Sequence, residues 1–130
     1  YRLLQGEAPE GEGFFVPVTL VDNPPESSRI VQEEQFGPIL PLVRFSDVED
    51  AIARANNTDM GLAGTVWSAD TDDAMRIAER MDTGNVWINE GLALSPFAAF
   101  GGRKQSGMGV ENGIEGLMAY TEPKTFLVSV

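Results

Sequence analysis

The sequence Glu33-Glu34-Gln35-Phe36-Gly37-Pro38 places two carboxylates, an aromatic ring and a Gly-Pro break directly before an apolar run, Ile39 to Phe45. A carboxylate in a loop can accept hydrogen bonds from the hydroxyl groups of a sugar, and a neighbouring aromatic ring can cover an apolar ligand face. Acidic residues, glycine and proline are also common in ordinary turns before strands. The stretch alone therefore leaves both a ligand site and a plain turn open.

Strands and helices are predicted to alternate on both sides of this stretch. The run over 39–45 is typical of a strand buried on both faces, and Ser46 with Glu49 fits a capping box for the helix that follows. Asp70 or Thr71 is predicted to cap a second helix, which ends at Gly84. Further predictions are strands over 14–21, 62–68, 85–89 and 125–130, a helical turn over 27–31, a mobile segment over 1–13 and a third helix over about 110–120. This order predicts an α/β fold with an open, mainly parallel sheet and flanking helices.

Composition restricts the classes of function. The 130 residues are enough for one domain, and they carry 20 acidic against 9 basic side chains, a net charge of −11. A surface so negative repels phosphate backbones, so nucleic acid is not an expected partner. No apolar segment has the length of a membrane span, so a membrane is not an expected partner either.

Cysteine and histidine are both absent from the sequence. The chain therefore has no thiol nucleophile, no imidazole base and no Cys/His metal site, and its carboxylate spacing supports no other metal site. A cysteine-free composition also fits the reducing cytoplasm, where we expect the protein to be found.

A glycine-rich stretch, Phe100-Gly101-Gly102-Arg103-Lys104-Gln105-Ser106-Gly107, precedes the third predicted helix. Glycine-rich backbone can point N–H groups at a phosphate, but a Walker motif requires Lys directly before Ser or Thr, and here Gln105 intervenes. A nucleophile–base pair of Ser106 and Lys104 has no third group in the sequence to orient it. We favour tight turns beneath a pocket as the role of these glycines, and a phosphate-binding module is the weaker alternative.

Four motifs in this order resemble the C-terminal part of the NAD(P)-dependent aldehyde dehydrogenase superfamily. Two positions depart from the usual pattern: the first strand has Val16-Pro17-Val18-Thr19, and Val110 stands where many members have a charged residue. Neither departure changes the resemblance, although both leave the subfamily open. The motifs are Glu33 to Pro38, Asn56-Asn57 with Gly61-Leu62-Ala63, Gly84 to Asn89, and Phe100 to Gly109, and the resemblance extends over about residues 13 to 130.

The resemblance implies a cofactor site for NAD or NADP. In the family, the residue that corresponds to Glu34 accepts hydrogen bonds from the hydroxyls of the nicotinamide ribose, and the one that corresponds to Phe36 packs beside that ribose. Leu62 is implied to lie near the nicotinamide. These roles belong to a complete enzyme, because the dinucleotide-binding domain of the family lies upstream of the part that this chain resembles.

The resemblance also implies an aldehyde tunnel whose lining loop begins at Asn89. Leu92, Leu94 and Phe100 correspond to positions where family members present side chains to the substrate, and packing in the core is the alternative role for these three. Residues 1–122 would form the C-terminal portion of the catalytic domain. Residues 123–130 would form a strand that joins a partner subunit, so a homo-oligomer is the expected assembly and the strand is an unpaired edge in a single chain.

The activity implied by the resemblance is oxidation of an aldehyde to a carboxylic acid with NAD(P)+. In the family a Cys thiolate attacks the aldehyde, hydride passes to the nicotinamide, and a Glu activates the water that hydrolyses the thioester. Both residues lie upstream in the family and this chain has no Cys, so we expect a fragment of the enzyme that is inactive by itself. The alternative is a non-catalytic interaction module of the same fold that self-associates through its C-terminal strand.

Overall fold

A computed structural model describes residues 2–130 of the chain. Backbone contacts divide the chain into two compact units, Tyr1–Ala51 and Ile52–Val130. Each unit contains one pair of parallel strands and at least one antiparallel pair. Helices follow or connect these strands. The predicted α/β class is therefore confirmed. The strands form four small sheets, one with three strands and three with two, in place of one continuous open sheet.

The first unit is built around a three-stranded sheet in which β2 is central. Strand β1 pairs antiparallel with β2, and β3 pairs parallel with β2 on its other side. Within β2, Thr19 and Val21 point to the same face and are buried, as the two-residue period of a strand requires. The elements are β1 (Arg2–Gln5), β2 (Thr19–Asp22), the short helix α1 (Arg29–Gln32) and β3 (Ile39–Leu42).

Two predictions for the first unit are wrong in part. Residues 2–5, expected to be mobile, form β1, because their backbone pairs with Thr19 to Asp22. The strand expected over 14–21 begins only at Thr19. The N–H of Gly6 donates to the carbonyl of Val18 at 2.9 Å and closes the end of the β1–β2 ladder. Residues 14–17 form no strand, because they lie outside the paired part of the ladder and Pro17 lacks the N–H that a ladder would need.

The second unit contains a strand–helix–strand element. Strands β5 and β6 are parallel, with Ala63 opposite Asn85 and Val66 opposite Ile88, and helix α3 connects them. Such a crossover is the usual connection between parallel neighbours. Four short strands in two antiparallel pairs and one further helix complete the unit, and α2 crosses the boundary between the units. The elements are α2 (Val48–Asn56), β4 (Met60–Gly61), β5 (Ala63–Val66), α3 (Thr71–Ala78), β6 (Asn85–Ile88), β7 (Phe100–Gly101), β8 (Arg103–Lys104), β9 (Val110–Glu111) and α4 (Gly113–Met118).

The helix starts show one confirmed cap and one wrong cap. The Asp70 carboxylate accepts from the N–H groups of Asp72 and Asp73, which satisfies two donors that a helix start leaves unpaired. Helix α2 is capped by Asp47 in place of the predicted Ser46, because the Asp47 carboxylate accepts from the N–H of Asp50 at 2.9 Å. The longest helix has nine residues. Within residues 2–130, none of the helices combines the length and apolar character needed to cross a bilayer.

The C-terminal part differs from its prediction. Helix α4 starts at Gly113, after the short strand β9, and residues 119–130 contain neither helix nor strand. A β-rich tail forms a strand only when a partner edge supplies the other half of its hydrogen bonds. The role of 123–130 as an oligomerisation strand therefore stays a prediction.

Gly84 permits the closest backbone approach in the second unit. A Cβ placed on Gly84 would overlap the carbonyl oxygen of Gly101 and would lie 2.8 Å from its carbonyl carbon. The N–H of Gly84 donates to the carbonyl of Gly61 at 3.0 Å, so the residue cannot easily move away. Only glycine fits at this position.

Gly84→Ala is expected to lower the free energy of unfolding by roughly 1–3 kcal/mol, the usual cost of forcing an extra group into packed structure. Urea denaturation of the protein that carries this chain measures the change. Gly109→Ala is the matched control, because a Cβ at Gly109 meets no atom within 4 Å. Equal unfolding midpoints for the two variants would contradict the steric argument.

Candidate functional site

The loop over 33–38 in the first unit is held by alternate residues. Glu33 forms a two-point ion pair with Arg29, at 2.7 and 2.8 Å, which holds the pKa of the Glu33 carboxyl below its usual value. The Gln35 amide turns back to donate to the carbonyl of Ile30 at 3.0 Å and to that of Glu33. At its other end the loop is tied to the sheet, where the N–H of Thr19 donates to the carbonyl of Pro38 at 2.8 Å.

Glu34 and Phe36 remain free in this loop. Glu33 and Gln35 are engaged with Arg29 and with backbone carbonyls, whereas Glu34 and Phe36 are both exposed. The Glu34 carboxylate makes no hydrogen bond or ion pair within residues 2–130, and the Phe36 ring is 95% exposed. The loop thus presents a carboxylate and an aromatic ring, two residues apart, to a partner from outside the unit.

The glycine-rich stretch is committed to holding the structure. The N–H of Gln105 donates to the carbonyl of Asp59 at 2.9 Å, and that of Ser106 donates to the carbonyl of Arg103 at 3.1 Å. The Ser106 hydroxyl accepts from the N–H of Gly61 at 2.9 Å. Because these groups already have partners within the unit, they do not support a phosphate cradle in this stretch.

Lys104 is not poised as a base for Ser106. Its ammonium donates to the carbonyls of Asn56 and Thr58 and pairs with Asp82 at 3.2 Å. The hydrogen bond from Lys104, aided by that from Arg103, lowers the pKa of the Asp82 carboxyl. The Lys104 amino group is thus directed to these three partners and not to the Ser106 hydroxyl.

An open cleft of about 190 Å³ lies in the second unit, between β6 and the loop that follows it. Leu94 and Phe100 both line it, which brings these two predicted substrate residues together. Leu92 does not line it; its side chain is exposed, with its backbone at a φ of 61°. The full lining is Asn85, Val86, Trp87, Ala93, Leu94, Ser95, Ala98, Ala99 and Phe100.

Two residues that shape this cleft were not singled out from the sequence. The indole N–H of Trp87 donates to the carbonyl of Ala93 at 2.8 Å, and its ring lies 6.4 Å from that of Phe100. The Asn85 amide donates to the carbonyl of Ala99 at 3.0 Å and accepts from the N–H of Gly101 at 3.2 Å. A polar side chain within the predicted apolar strand 85–89 was the available signal, because buried polar groups require partners.

The predicted site residues fall in both units. Glu34 and Phe36 belong to the first, and Leu62, Leu92, Leu94 and Phe100 belong to the second. Leu62 lies between β4 and β5 with 41% of its side chain exposed, and it is not part of the cleft. In the part of the chain that the structure describes, no group of three or more acidic residues could hold a metal ion.

Comparison with known proteins gives a consistent match. The family model described as the aldehyde dehydrogenase family matches residues 1–126. The Gibberella moniliformis protein FUS7, which is named as an aldehyde dehydrogenase, is 45% identical to this chain over 129 residues. These residues are 98% of this chain and 28% of that protein. Human retinaldehyde dehydrogenase 3 is 41% identical over 96% of this chain and 24% of its own length. The crystal structure of a Mycobacterium tuberculosis aldehyde dehydrogenase complexed with NAD+ superposes with a TM-score of 0.86 at 40% identity, over 98% of this chain and 28% of that one.

The Asp82 ion pairs predict a specific pH dependence. A carboxyl whose pKa is lower in the folded state contributes stability above its unfolded pKa, and that contribution is lost as the pH falls through the folded value. Asp82→Asn is therefore expected to be less stable than the parent at neutral pH. The gap should narrow below the ordinary Asp pKa of about 3.9, where the parent loses the same contribution.

Thermal unfolding at pH 7 and pH 3 measures this gap. Asp59→Asn is the matched control, because Asp59 is exposed and its carboxylate makes no ion pair within residues 2–130. A gap between Asp82→Asn and the parent that is equal at both pH values would contradict the assignment.

Proposed function

The chain belongs to the aldehyde dehydrogenase family, and on that premise we propose that it forms the C-terminal part of an enzyme that oxidises aldehydes to carboxylic acids with NAD+ or NADP+. It spans about a quarter of the length of the curated relatives it matches. Because it contains no cysteine, the proposal assigns the nucleophilic thiolate to the remainder of the polypeptide. The nicotinamide, when bound, accepts the hydride. The residues of this chain bind the cofactor and the aldehyde and orient them.

The free carboxylate of Glu34 beside the exposed Phe36 ring is the observation that carries the proposal. A ribose presents two adjacent hydroxyl donors, and an ionised carboxylate offers only acceptor oxygens, so the two match in hydrogen-bonding character. The Phe36 ring would cover the apolar face of the same sugar. Because Glu33 and Gln35 hold the loop, Glu34 meets the cofactor without first breaking a bond of its own.

The cleft in the second unit is the proposed aldehyde site. Leu94 and Phe100 give it an apolar lining, and Leu92 stands exposed on the same loop. A leucine at position 94 leaves more room than an aromatic residue would, which suits medium aliphatic or aromatic aldehydes. Leu62 is proposed to contact the nicotinamide from the turn between β4 and β5. The family of the NAD+-bound relative supports the cofactor class, and the choice between NAD and NADP stays open in the proposal.

The exposed apolar surface supports a larger assembly. Large apolar side chains of both units stand in solvent, which a stable monomer of this size would avoid. We assign part of this surface to contact with the remainder of the polypeptide, and residues 123–130 to pairing with a second copy in a cytoplasmic homo-oligomer. The alternative of a non-catalytic interaction module shares the tail and differs in activity. Examples of the exposed side chains are Phe14, Val18, Phe97, Phe126 and Val128.

The direct test is NAD(P)H formation by the complete protein that carries this chain. Activity with an aldehyde series and either NAD+ or NADP+ supports the enzyme. A correctly folded complete protein that forms no NAD(P)H with any of them contradicts the proposal and favours the interaction module.

Glu34→Gln in the complete protein removes charge-assisted hydrogen bonds on the order of 1.5–3 kcal/mol. Weaker cofactor binding and slower turnover are expected, measured as the Kd for NADH by fluorescence and as kcat. Glu10→Gln is the matched control: it makes the same chemical change at an exposed carboxylate of the same unit that has no hydrogen bond or ion pair within residues 2–130. A Glu34→Gln variant that behaves like the parent would remove the assigned role.

Leu94→Trp is expected to fill part of the cleft and to penalise bulky aldehydes more than acetaldehyde. A misfit of about one methylene group in an apolar pocket is worth about 1–3 kcal/mol. The measurement is kcat/KM for a short and a bulky aldehyde. Phe97→Trp enlarges an exposed ring on the same loop that does not line the cleft, and its ratio should stay near the parent value. An unchanged ratio in Leu94→Trp would mean that the cleft is not the aldehyde site.

A further inference from the structure

The ammonium group of Lys104 has the three hydrogen-bond partners that it can accommodate. It donates to the carbonyl oxygens of Asn56 at 2.8 Å and Thr58 at 3.1 Å, and it lies 3.2 Å from the Asp82 carboxylate. Only 21% of the Lys104 side chain is exposed. Most lysines extend a mobile ammonium into water, so this residue is used as a fixed structural cation.

The three partners come from two segments of the second unit, one with Asn56 and Thr58 and one with Asp82. Asn56 ends helix α2, where carbonyl groups lack partners within the helix and attract a positive charge. Asp82 lies after helix α3, and its N–H donates to the side-chain oxygen of Asn56 at 2.8 Å. The Asn56 side-chain amide in turn donates to the carbonyl of Arg80 at 2.9 Å. Lys104 thus joins the end of α2, the segment after α3 and the glycine-rich stretch.

The backbone at Lys104 is strained. Its φ is 53°, in the left-handed region that a residue with a side chain seldom adopts. Pairing holds it there: Met60 stands opposite Lys104 and Gly61 opposite Arg103 in the β4–β8 ladder. Such strain persists only where surrounding contacts determine the conformation, and it is concentrated at functional sites.

These contacts fix the residues that lead into Leu62. Within residues 56–61, the carbonyl of Asn56 accepts from the Lys104 ammonium and that of Asp59 accepts from the Gln105 N–H. The N–H of Gly61 donates to the Ser106 hydroxyl. The carbonyl of Leu62 itself accepts from the N–H of Asn85 at 3.2 Å. The backbone is therefore held on both sides of the Leu62 side chain, which stays exposed.

We infer that Lys104 is a positioning residue for the cofactor: by fixing residues 56–61 it sets where Leu62 meets the nicotinamide. The inference rests on the proposed function, which supplies the contact between Leu62 and the nicotinamide. Lys104 touches neither cofactor nor substrate in this assignment. Its effect should therefore appear in the binding of the cofactor and not in the binding of the aldehyde.

The test uses Lys104→Met in the complete enzyme, because methionine keeps an unbranched chain and removes all three donors. We expect the KM for NAD(P)+ to rise about tenfold or more, as small displacements of a positioned group allow, while the KM for the aldehyde stays near the parent value. Arg103→Met is the matched control: Arg103 also faces Asp82, at 3.5 Å, but its side chain is mostly exposed and its guanidinium makes no hydrogen bond to residues 56–61 within the described part of the chain. Its cofactor KM should match the parent.

Two results would overturn the inference. One is a Lys104→Met enzyme whose cofactor KM is unchanged, and the other is a rise of the same factor in the KM for both substrates. If Lys104→Met does not fold, Ser106→Ala is the second test, because it removes the hydroxyl that accepts from the Gly61 N–H and donates to the Met60 sulfur. A selective rise in cofactor KM supports the inference, and an unchanged value overturns it.

Leu62→Ala separates this inference from the proposed function. A complete protein without NAD(P)-dependent aldehyde oxidation contradicts the proposed function itself. If the parent is active and Leu62→Ala raises the cofactor KM while Lys104→Met leaves it unchanged, only the inference fails. If Leu62→Ala leaves the cofactor KM unchanged in an active enzyme, the inference fails, because the contact between Leu62 and the nicotinamide then contributes nothing to cofactor binding.

Discussion

The close approach of Gly84 to Gly101 is the constraint on which the second unit depends. Because residue 84 has no side chain, the backbone of the glycine-rich stretch comes into contact with the start of β6. Asn85 then reaches both the carbonyl of Ala99 and the N–H of Gly101. The cleft between β6 and its following loop exists because this closure folds the loop back onto the strand.

The glycine-rich stretch is attached to the rest of the unit at Gly101 and again at Lys104, by a different kind of interaction at each. At Gly101 the attachment is one neutral hydrogen bond from its N–H to the side-chain oxygen of Asn85. At Lys104 it is a charge that meets two carbonyl groups and a carboxylate. A poorly solvated charge costs more when one partner is lost than a neutral group does. The stretch is therefore most sensitive at Lys104, although the glycines dominate its sequence.

Local patterns were sufficient for much of the fold, and long-range pairing was not accessible from them. The start of helix α3 and its cap at Asp70 follow from residues within one turn of each other, so the sequence predicts them correctly. The helix ends at Ala78, before the predicted end at Gly84. Strand β1 needs partner residues 14 to 20 positions away that no local pattern identifies. The ion pair between Asp82 and Lys104 has the same origin: 22 positions separate two ordinary charged residues. Glu34, Phe36 and Leu62 were selected through motif resemblance, which carries information about a ligand that a single chain cannot show.

The loop over 33–38 in the first unit and the loop over 90–100 in the second have one property in common. In each, some side chains fix the backbone and others remain free for a ligand. In the loop over 33–38, Glu33 and Gln35 are consumed by contacts that fix the backbone, and this leaves Glu34 without a partner. In the loop over 90–100, the Trp87 and Asn85 side chains hold the backbone, and this leaves Leu94 facing the cleft. Exposure alone does not identify a functional residue, since Phe14 is as exposed as Phe36. What distinguishes Glu34 and Leu94 is that rigid neighbours hold them free, so that a ligand gains their contacts without the entropic cost of ordering the loop.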